Sequence, residues 1–193
     1  MTRTAGSVGR EQRERLLGQR AATVWLTGLP GSGKSTLAHL LEAELTRAGR
    51  LCTVLDGDNL RHGLNRDLGF SPEDRRENIR RAAEVSVLLQ DLGAIVICAF
   101  VSPYAEDRAM ARQIVGDGFV LVHVDASTEA CARRDPKGLW AKARAGEIAS
   151  FTGVSAPFEA PVDPDLRLDT EQHSAAECVA LLVDVLRTRG AVS

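Results

Sequence analysis

The sequence predicts an α/β fold: a parallel sheet covered by helices on both faces, with one excursion over its edge. Two patterns predict it. Short apolar and β-branched runs alternate with longer stretches of helical periodicity, which implies strands buried between two helical layers. A single stretch, 126–164, is rich in charge, Gly and Pro and carries no clear strand, so it reads as an excursion rather than a separate domain. At 193 residues with 44% apolar composition, one globular domain with a sizeable core is expected.

Residues 10–19 are polar and charged and predict a short surface helix or an arm, so residues 1–20 are set apart from a domain over 21–193. Ala22–Thr27 is an apolar, β-branched run ending at Gly28, a buried strand. Leu37, Leu40, Leu41 and Leu45 share one helix face, and Gly49 ends that helix. Leu51–Leu55 is the second strand, closed by Asp56-Gly57-Asp58. Ser71-Pro72-Glu73-Asp74 carries a cap, a first-turn proline and an acid three residues on, so a helix runs from there to about Leu92. Ala94–Ala99 is the third strand, Tyr104–Val115 a helix and Phe119–Val124 the fourth strand. Leu166–Leu168 is a short fifth strand. Ser174 and Glu177 cap a final helix that stops near Gly190.

Composition excludes several function classes. With 24 basic and 26 acidic residues the net charge is −2, which gives no large footprint for nucleic acid. The longest apolar run, Leu92–Val101, is far short of a membrane helix, and residues 1–9 lack a secretory apolar region, so cytoplasm is the expected compartment. Cys52, Cys98, Cys131 and Cys178 are scattered without metal spacing and read as small core residues. Only three lysines occur, Lys34, Lys137 and Lys142; where arginine carries nearly all positive charge, a retained lysine marks a place for a compact, flexible ammonium.

Gly28-Leu-Pro-Gly-Ser-Gly-Lys-Ser-Thr36 satisfies G-x-x-x-x-G-K-[ST] between a predicted strand and a predicted helix. In that setting Gly28, Gly31, Ser32, Gly33 and Thr36 close around phosphate with backbone N–H groups at a helix N-terminus. Lys34 reaches the β/γ-phosphates, and the Ser35 hydroxyl ligates Mg²⁺. The chain therefore binds a nucleoside triphosphate. No Asn-Lys-x-Asp base-reading element is present, and the third strand ends Ala99-Phe-Val-Ser-Pro103 without a carboxylate. The acidic pair follows the second strand instead, as Asp56 and Asp58, which favours a small-molecule kinase. Asp58 with Arg61, and Arg75 with Asn78, stand three apart, a spacing that suits an anion pocket and equally a solvated charged face. Arg76, Arg80 and Arg81 fit the solvated face. Phe70 and Phe151, two of eight aromatics, lie in loops where they either stack on a base or turn into the core.

The blocks Asp56–Ser71, Arg75–Arg80, Phe100–Tyr104, Arg134–Gly138 and Phe151–Gly153 resemble adenylylsulfate kinase (APS kinase), in order from about Arg10 to Thr170. Pro30, where the family commonly has Ser, and Trp140, near a common Tyr, are small departures. The resemblance implies a P-loop kinase fold of three layers with residues 126–164 as a lid. It implies phosphorylation of the 3′-hydroxyl of adenosine 5′-phosphosulfate by ATP; Mg²⁺ on Ser35 is expected to be supported through water by Asp56. Asp58 would approach the ribose 3′-hydroxyl, and Arg61, Arg75, Asn78, Val101 and Ser102 would hold the acceptor. Phe70 and Phe151 would sandwich its adenine, while Lys137, Gly138 and Leu139 would belong to the lid.

Ser102 matches the serine recorded in the family as a phosphoenzyme site. With no His or Lys beside it to activate the hydroxyl, it is expected to bind substrate through that hydroxyl or its N–H while transfer proceeds directly. The resemblance further implies a homodimer and a functional association with ATP sulfurylase. Two other readings stay open: a catalytically silent binding or regulatory module, against which Lys34, Ser35, Asp58 and Lys137 speak, and a related kinase with another acceptor.

Overall fold

The computed structural model describes residues 6–193, so the first five residues of the expected arm lie outside the described residues. Five parallel strands, β1 Ala22–Thr27, β2 Cys52–Asp56, β3 Ile95–Ala99, β4 Phe119–Asp125 and β5 Leu166–Asp169, lie in the order β2-β3-β1-β4-β5. All residues of β1 and β3 are buried, whereas the edge strands β2 and β5 are mostly half-buried. Continuous apolar runs thus belong to the centre of the sheet, where both faces are covered.

The pleat divides each strand between two cores. Val24, Leu26, Ile95, Ile97, Val122 and Val124 face helices α2 (Lys34–Arg47) and α8 (Ala175–Thr188). Trp25, Val96, Cys98, Phe119 and Leu121 face α4 (Pro72–Asp91) and α5 (Ala105–Val115). Cys98, Cys131 and Cys178 are buried free thiols, and burial drives the Cys98 thiol up to about 12, so it stays protonated.

Local chemistry sets the helix starts. Ser71 Oγ accepts from Asp74 N at 3.1 Å, with Pro72 in the first turn, and Ser174 and Glu177 form a reciprocal capping box. The polar segment near the N-terminus is a helix, α1 (Arg10–Leu17), tied to the far end of α4. Arg10 Nη2 lies 2.9 Å from Asp91 Oδ1, and Arg13 Nη1 donates to the Asp91 carbonyl at 2.8 Å. A one-turn helix, α3 (Gly57–Leu60), follows β2.

The excursion is more ordered than its composition suggests. It holds two short helices, α6 (Thr128–Arg134) and α7 (Leu139–Arg144), and an isolated bridge between Thr152 and Ala156. Ala130, Cys131, Trp140, Ala143 and Phe151 form a small core of their own, packed against Leu29. Helices of six or seven residues are too short for a periodic signal, so only their burial in this satellite core makes them stable. The crevice at the carboxyl ends of β1, β2, β3 and β4, beneath this lid, is where a parallel sheet of this kind receives ligands.

Candidate active site

The phosphate loop leaves β1 at Gly28, whose φ is +155°; a Cβ there would stand 2.3 Å from the Val124 carbonyl oxygen. Only glycine permits that approach. At Gly31, φ +85°, a Cβ would meet the Cys131 carbonyl at 2.9 Å, so the loop is also moulded against α6. Gly33, left-handed, caps α2, whose N-terminus opens on the crevice with Ser35 and Thr36 exposed. Ser32 Oγ is buried and has no hydrogen-bond partner among the described residues. A buried hydroxyl in a cradle of N–H groups suits a phosphate oxygen.

Lys34 is buried, its Nζ donating to the carbonyls of Gly28 at 2.9 Å and Leu29 at 2.8 Å. Burial lowers its pKa to about 8, opposed by Asp56 and Asp58. Ser35 Oγ donates to Asp56 Oδ2 at 2.6 Å, while Asp56 Oδ1 accepts from the N–H groups of Asp58 and Asn59 at the start of α3. A hydroxyl and a carboxylate in contact beside a phosphate loop form the small, hard-oxygen set that Mg²⁺ uses when phosphates and water complete its shell. Among the described residues, no cluster of three or more His, Cys, Asp or Glu offers a metal cage.

Asp58 stands exposed on α3, and Lys137 reaches across from the lid to pair with it. That carboxylate holds the Lys137 ammonium above its ordinary pKa. Gly138, left-handed at φ +67°, starts α7 directly behind Lys137, and Leu139 packs half-buried on the lid core.

The acceptor-side residues lie around the start of α4. Arg61 Nη1 donates to the carbonyls of Leu68 and Gly69, and its guanidinium lies 4.3 Å from the Phe70 ring centroid. Arg75 Nε donates to the Phe70 carbonyl at 2.9 Å, Nη1 to Thr152 Oγ1 at 2.9 Å and Nη2 to the Ser150 carbonyl at 2.8 Å. Asn78 is buried and its Oδ1 accepts from Asn65 Nδ2 at 2.8 Å. Arg75 therefore ties α4 to the lid, a role its spacing from Asn78 does not reveal.

Two expectations are corrected. Phe70 and Phe151 do not form an open slot: Phe70 is 62% exposed under Arg61, while Phe151 is 7% exposed with its ring 5.3 Å from that of Trp140, edge to face. Beside a tryptophan in a small apolar core, burial is the stronger pull on a phenyl ring. The Ser102 hydroxyl is not free for a ligand either. It donates to Thr27 Oγ1 at 2.9 Å and accepts from Trp25 Nε1 at 3.2 Å, in a residue 2% exposed. Ser102 has a φ of +37°, and the Val101 carbonyl beside it accepts from Thr27 Oγ1 at 2.7 Å. Of the two ways Ser102 was expected to hold substrate, its backbone N–H is the one left.

Trp25, Thr27 and Arg134 hold parts of the candidate site in place, and sequence reasoning missed them. Trp25 and Thr27 read as ordinary strand residues, and only the fold brings them under Ser102. Arg134 donates from Nη1 to Thr170 Oγ1 at 2.9 Å and from Nη2 to the Thr170 carbonyl at 2.8 Å, and Thr170 Oγ1 in turn donates to the Ser32 carbonyl at 3.1 Å. Its place in the block Arg134–Gly138 was the one available signal.

The family model described as adenylylsulphate kinase matches residues 20–169. The adenylyl-sulfate kinase of Clostridium kluyveri is 52% identical over 179 residues, 93% of this chain and 90% of that protein. The bifunctional enzyme NodQ of Rhizobium tropici is 54% identical over 183 residues, 94% of this chain; the chain spans 29% of its length. The structure of the Mycobacterium tuberculosis APS kinase CysC in complex with AMPPNP and APS superposes with a TM-score of 0.85 at 51% identity, over 88% of this chain and 99% of that one.

Proposed function

The chain belongs to the adenylylsulphate kinase family, and we propose that it transfers the γ-phosphate of ATP to the 3′-hydroxyl of adenosine 5′-phosphosulfate, giving 3′-phosphoadenosine 5′-phosphosulfate and ADP. The observation that carries this reading is the meeting of Asp58 and Lys137 at the mouth of the phosphate loop, beside the contact between Ser35 and Asp56. One carboxylate for an acceptor hydroxyl and one lid ammonium for a transferring phosphoryl group are the two charges such a reaction asks for.

The loop N–H groups and the Ser32 hydroxyl bind the triphosphate, and Lys34 leaves its two carbonyls for the β/γ oxygens. Mg²⁺, held by Ser35 and Asp56, would neutralise phosphate charge when bound. Lys137 leaves Asp58 for the γ-phosphoryl group, which frees the carboxylate to accept the proton of the 3′-hydroxyl as its oxygen attacks phosphorus. ADP departs on the opposite side, in line. Arg61 and Arg75 supply cationic donors for the phosphosulfate, Phe70 an exposed face for the adenine, and the N–H of Ser102 a further donor. Phe151, through Trp140, keeps the lid in shape. Ser102 takes no covalent part, because its hydroxyl is committed to Thr27 and Trp25 and touches no base.

Placement in the cytoplasm, a homodimer and association with ATP sulfurylase belong to the same proposal. Among the described residues no helix is long and apolar enough to cross a membrane, which is compatible with that placement. The existence of a bifunctional relative supports coupling to a second activity. The test is ADP release and product identity with a panel of 3′-hydroxyl nucleotides. ADP is expected only with adenosine 5′-phosphosulfate present, in step with the 3′-phosphorylated product. Equal turnover with acceptors that lack the sulfate, or ADP release without acceptor, overturns the assignment.

A further inference from the structure

Arg108 on α5 is 4% exposed, yet what it donates to is backbone. Its Nη1 donates to the Ser102 carbonyl at 2.7 Å and its Nη2 to the Glu159 carbonyl at 2.6 Å, with the guanidinium 5.9 Å from the Phe158 ring centroid. Among the described residues no carboxylate lies within ion-pair distance of it. Asp107, buried next to it in sequence, lies 4.0 Å from Arg76 Nε instead. Burying a cation to satisfy two carbonyls is costly. What the fold obtains is a planar fork that spans two segments far apart in the chain.

Those segments are the turn after β3, which carries Ser102, and the extended segment by which the lid returns to the sheet. They are joined twice more. The N–H of Glu159 donates to the Pro103 carbonyl at 2.9 Å, and the Glu159 carboxylate accepts from Ala105 N at 2.7 Å, where α5 begins. Ser102 itself sits at φ +37°, a conformation a non-glycine residue keeps only when its surroundings hold it. Trp25 and Thr27 hold its hydroxyl; Arg108 holds its carbonyl.

We propose that Arg108 is a positioning residue that fixes the Ser102 turn to the returning arm of the lid, so that acceptor binding and lid placement are set together. This rests on the acceptor role given above to the Ser102 N–H. A lysine at 108 offers a point charge without the fork and cannot hold both carbonyls in their present directions.

The test uses the full chain with three variants. Arg108→Lys and Arg108→Met break the fork, and Arg112→Gln, on the same helix but bonded to Asp165, is the control. Loss of one charge-assisted hydrogen bond predicts, for Arg108→Lys, a kcat lower by about 10- to 100-fold and a raised acceptor KM, with the ATP KM within about twofold of wild type. Limited proteolysis within residues 135–157, read without any turnover, should be faster in both Arg108 variants and unchanged in Arg112→Gln.

Should Arg108→Met fail to fold, Glu159→Ala removes only the exposed carboxylate at Ala105 and should show the same pattern at smaller amplitude. A wild-type chain inactive on adenosine 5′-phosphosulfate defeats the functional assignment, whereas the proteolysis still reports on the fork. An Arg108→Lys enzyme that melts lower but keeps wild-type kinetics and cleavage overturns the proposal, as does an equal rise in both KM values or the same losses in Arg112→Gln.

Discussion

Lys34 keeps its ammonium between two loop carbonyls, and phosphate oxygens are its natural replacement for them. Lys34→Ala should lower kcat by about 10²- to 10³-fold, the scale seen when one charge-stabilising donor is lost. Its melting temperature should stay near wild type, because the side chain packs no core; normal turnover in this variant would remove the loop from the mechanism. Ser102→Ala tests a different kind of residue. It leaves the buried indole N–H of Trp25 without its partner, at about 1–3 kcal/mol of stability, while activity should fall and persist. Complete inactivity, with phosphoserine recovered at 102 within one turnover of the wild-type enzyme, would make Ser102 a nucleophile. Lys34, Ser35, Asp58 and Lys137 were legible because each sits in a short block whose chemistry is local. Trp25, Thr27 and Arg108 were not, since a residue that acts across the fold, as Trp25 does on the Ser102 hydroxyl and Arg108 on the Glu159 carbonyl, has no local signature.

Among the elements, the lid carries the clearest consequence. Trp140 is 2% exposed, faces Phe151 and donates from Nε1 to the Pro30 carbonyl at 2.9 Å, so one side chain fastens the lid core to the phosphate loop. Truncating a buried aromatic costs about 3–5 kcal/mol, and here that loss falls on the satellite core. Trp140→Ala should therefore speed cleavage within 135–157 many-fold and lower kcat, with a much smaller change in the unfolding of the sheet. A single cooperative loss of all structure would show that the lid is no separate unit. Lys137→Arg should keep the ion pair with Asp58 yet lose most of kcat, because a forked guanidinium cannot follow a compact ammonium into the closed site; full kcat would make Lys137 a surface charge. Long elements such as α4 and α8 were readable from cap and period together. The helices α6 and α7 were not, because their apolar residues meet only across the fold.

For the whole molecule, alternation of strands and helices announced a parallel sheet, but not its order, since the buried runs of β1, β3 and β4 are interchangeable in pattern. One residue of that sheet makes global stability depend on pH near neutrality. His123 on β4 is buried against Phe158, 5.8 Å between ring centroids, and burial with Arg167 and Arg108 lowers its pKa below 6.5, opposed by Asp125. The unfolded chain then binds the proton more readily. His123 contributes its full share of stability above pH 6.5 and loses it as pH falls towards its folded value. Denaturant titrations of His123→Gln should show a shallower decline below pH 6.5 than wild type, and identical slopes would place the loss elsewhere.

The order β2-β3-β1-β4-β5 also bears on how the chain comes into being. Strand β1 is the first to be synthesised, yet its two neighbours are β3 and β4. Roughly 70 residues separate its end from the end of β3, about 4–14 s at ordinary ribosomal speed. For that interval a strand that ends wholly buried, together with the loop that will hold the triphosphate, has no sheet to join. Pairings this distant in sequence form slowly and leave sticky surface exposed meanwhile. The nascent segment around Trp25 is thus the part of this enzyme with most need of a chaperone, and the nucleotide cradle can be completed only after β3 and β4 have left the ribosome.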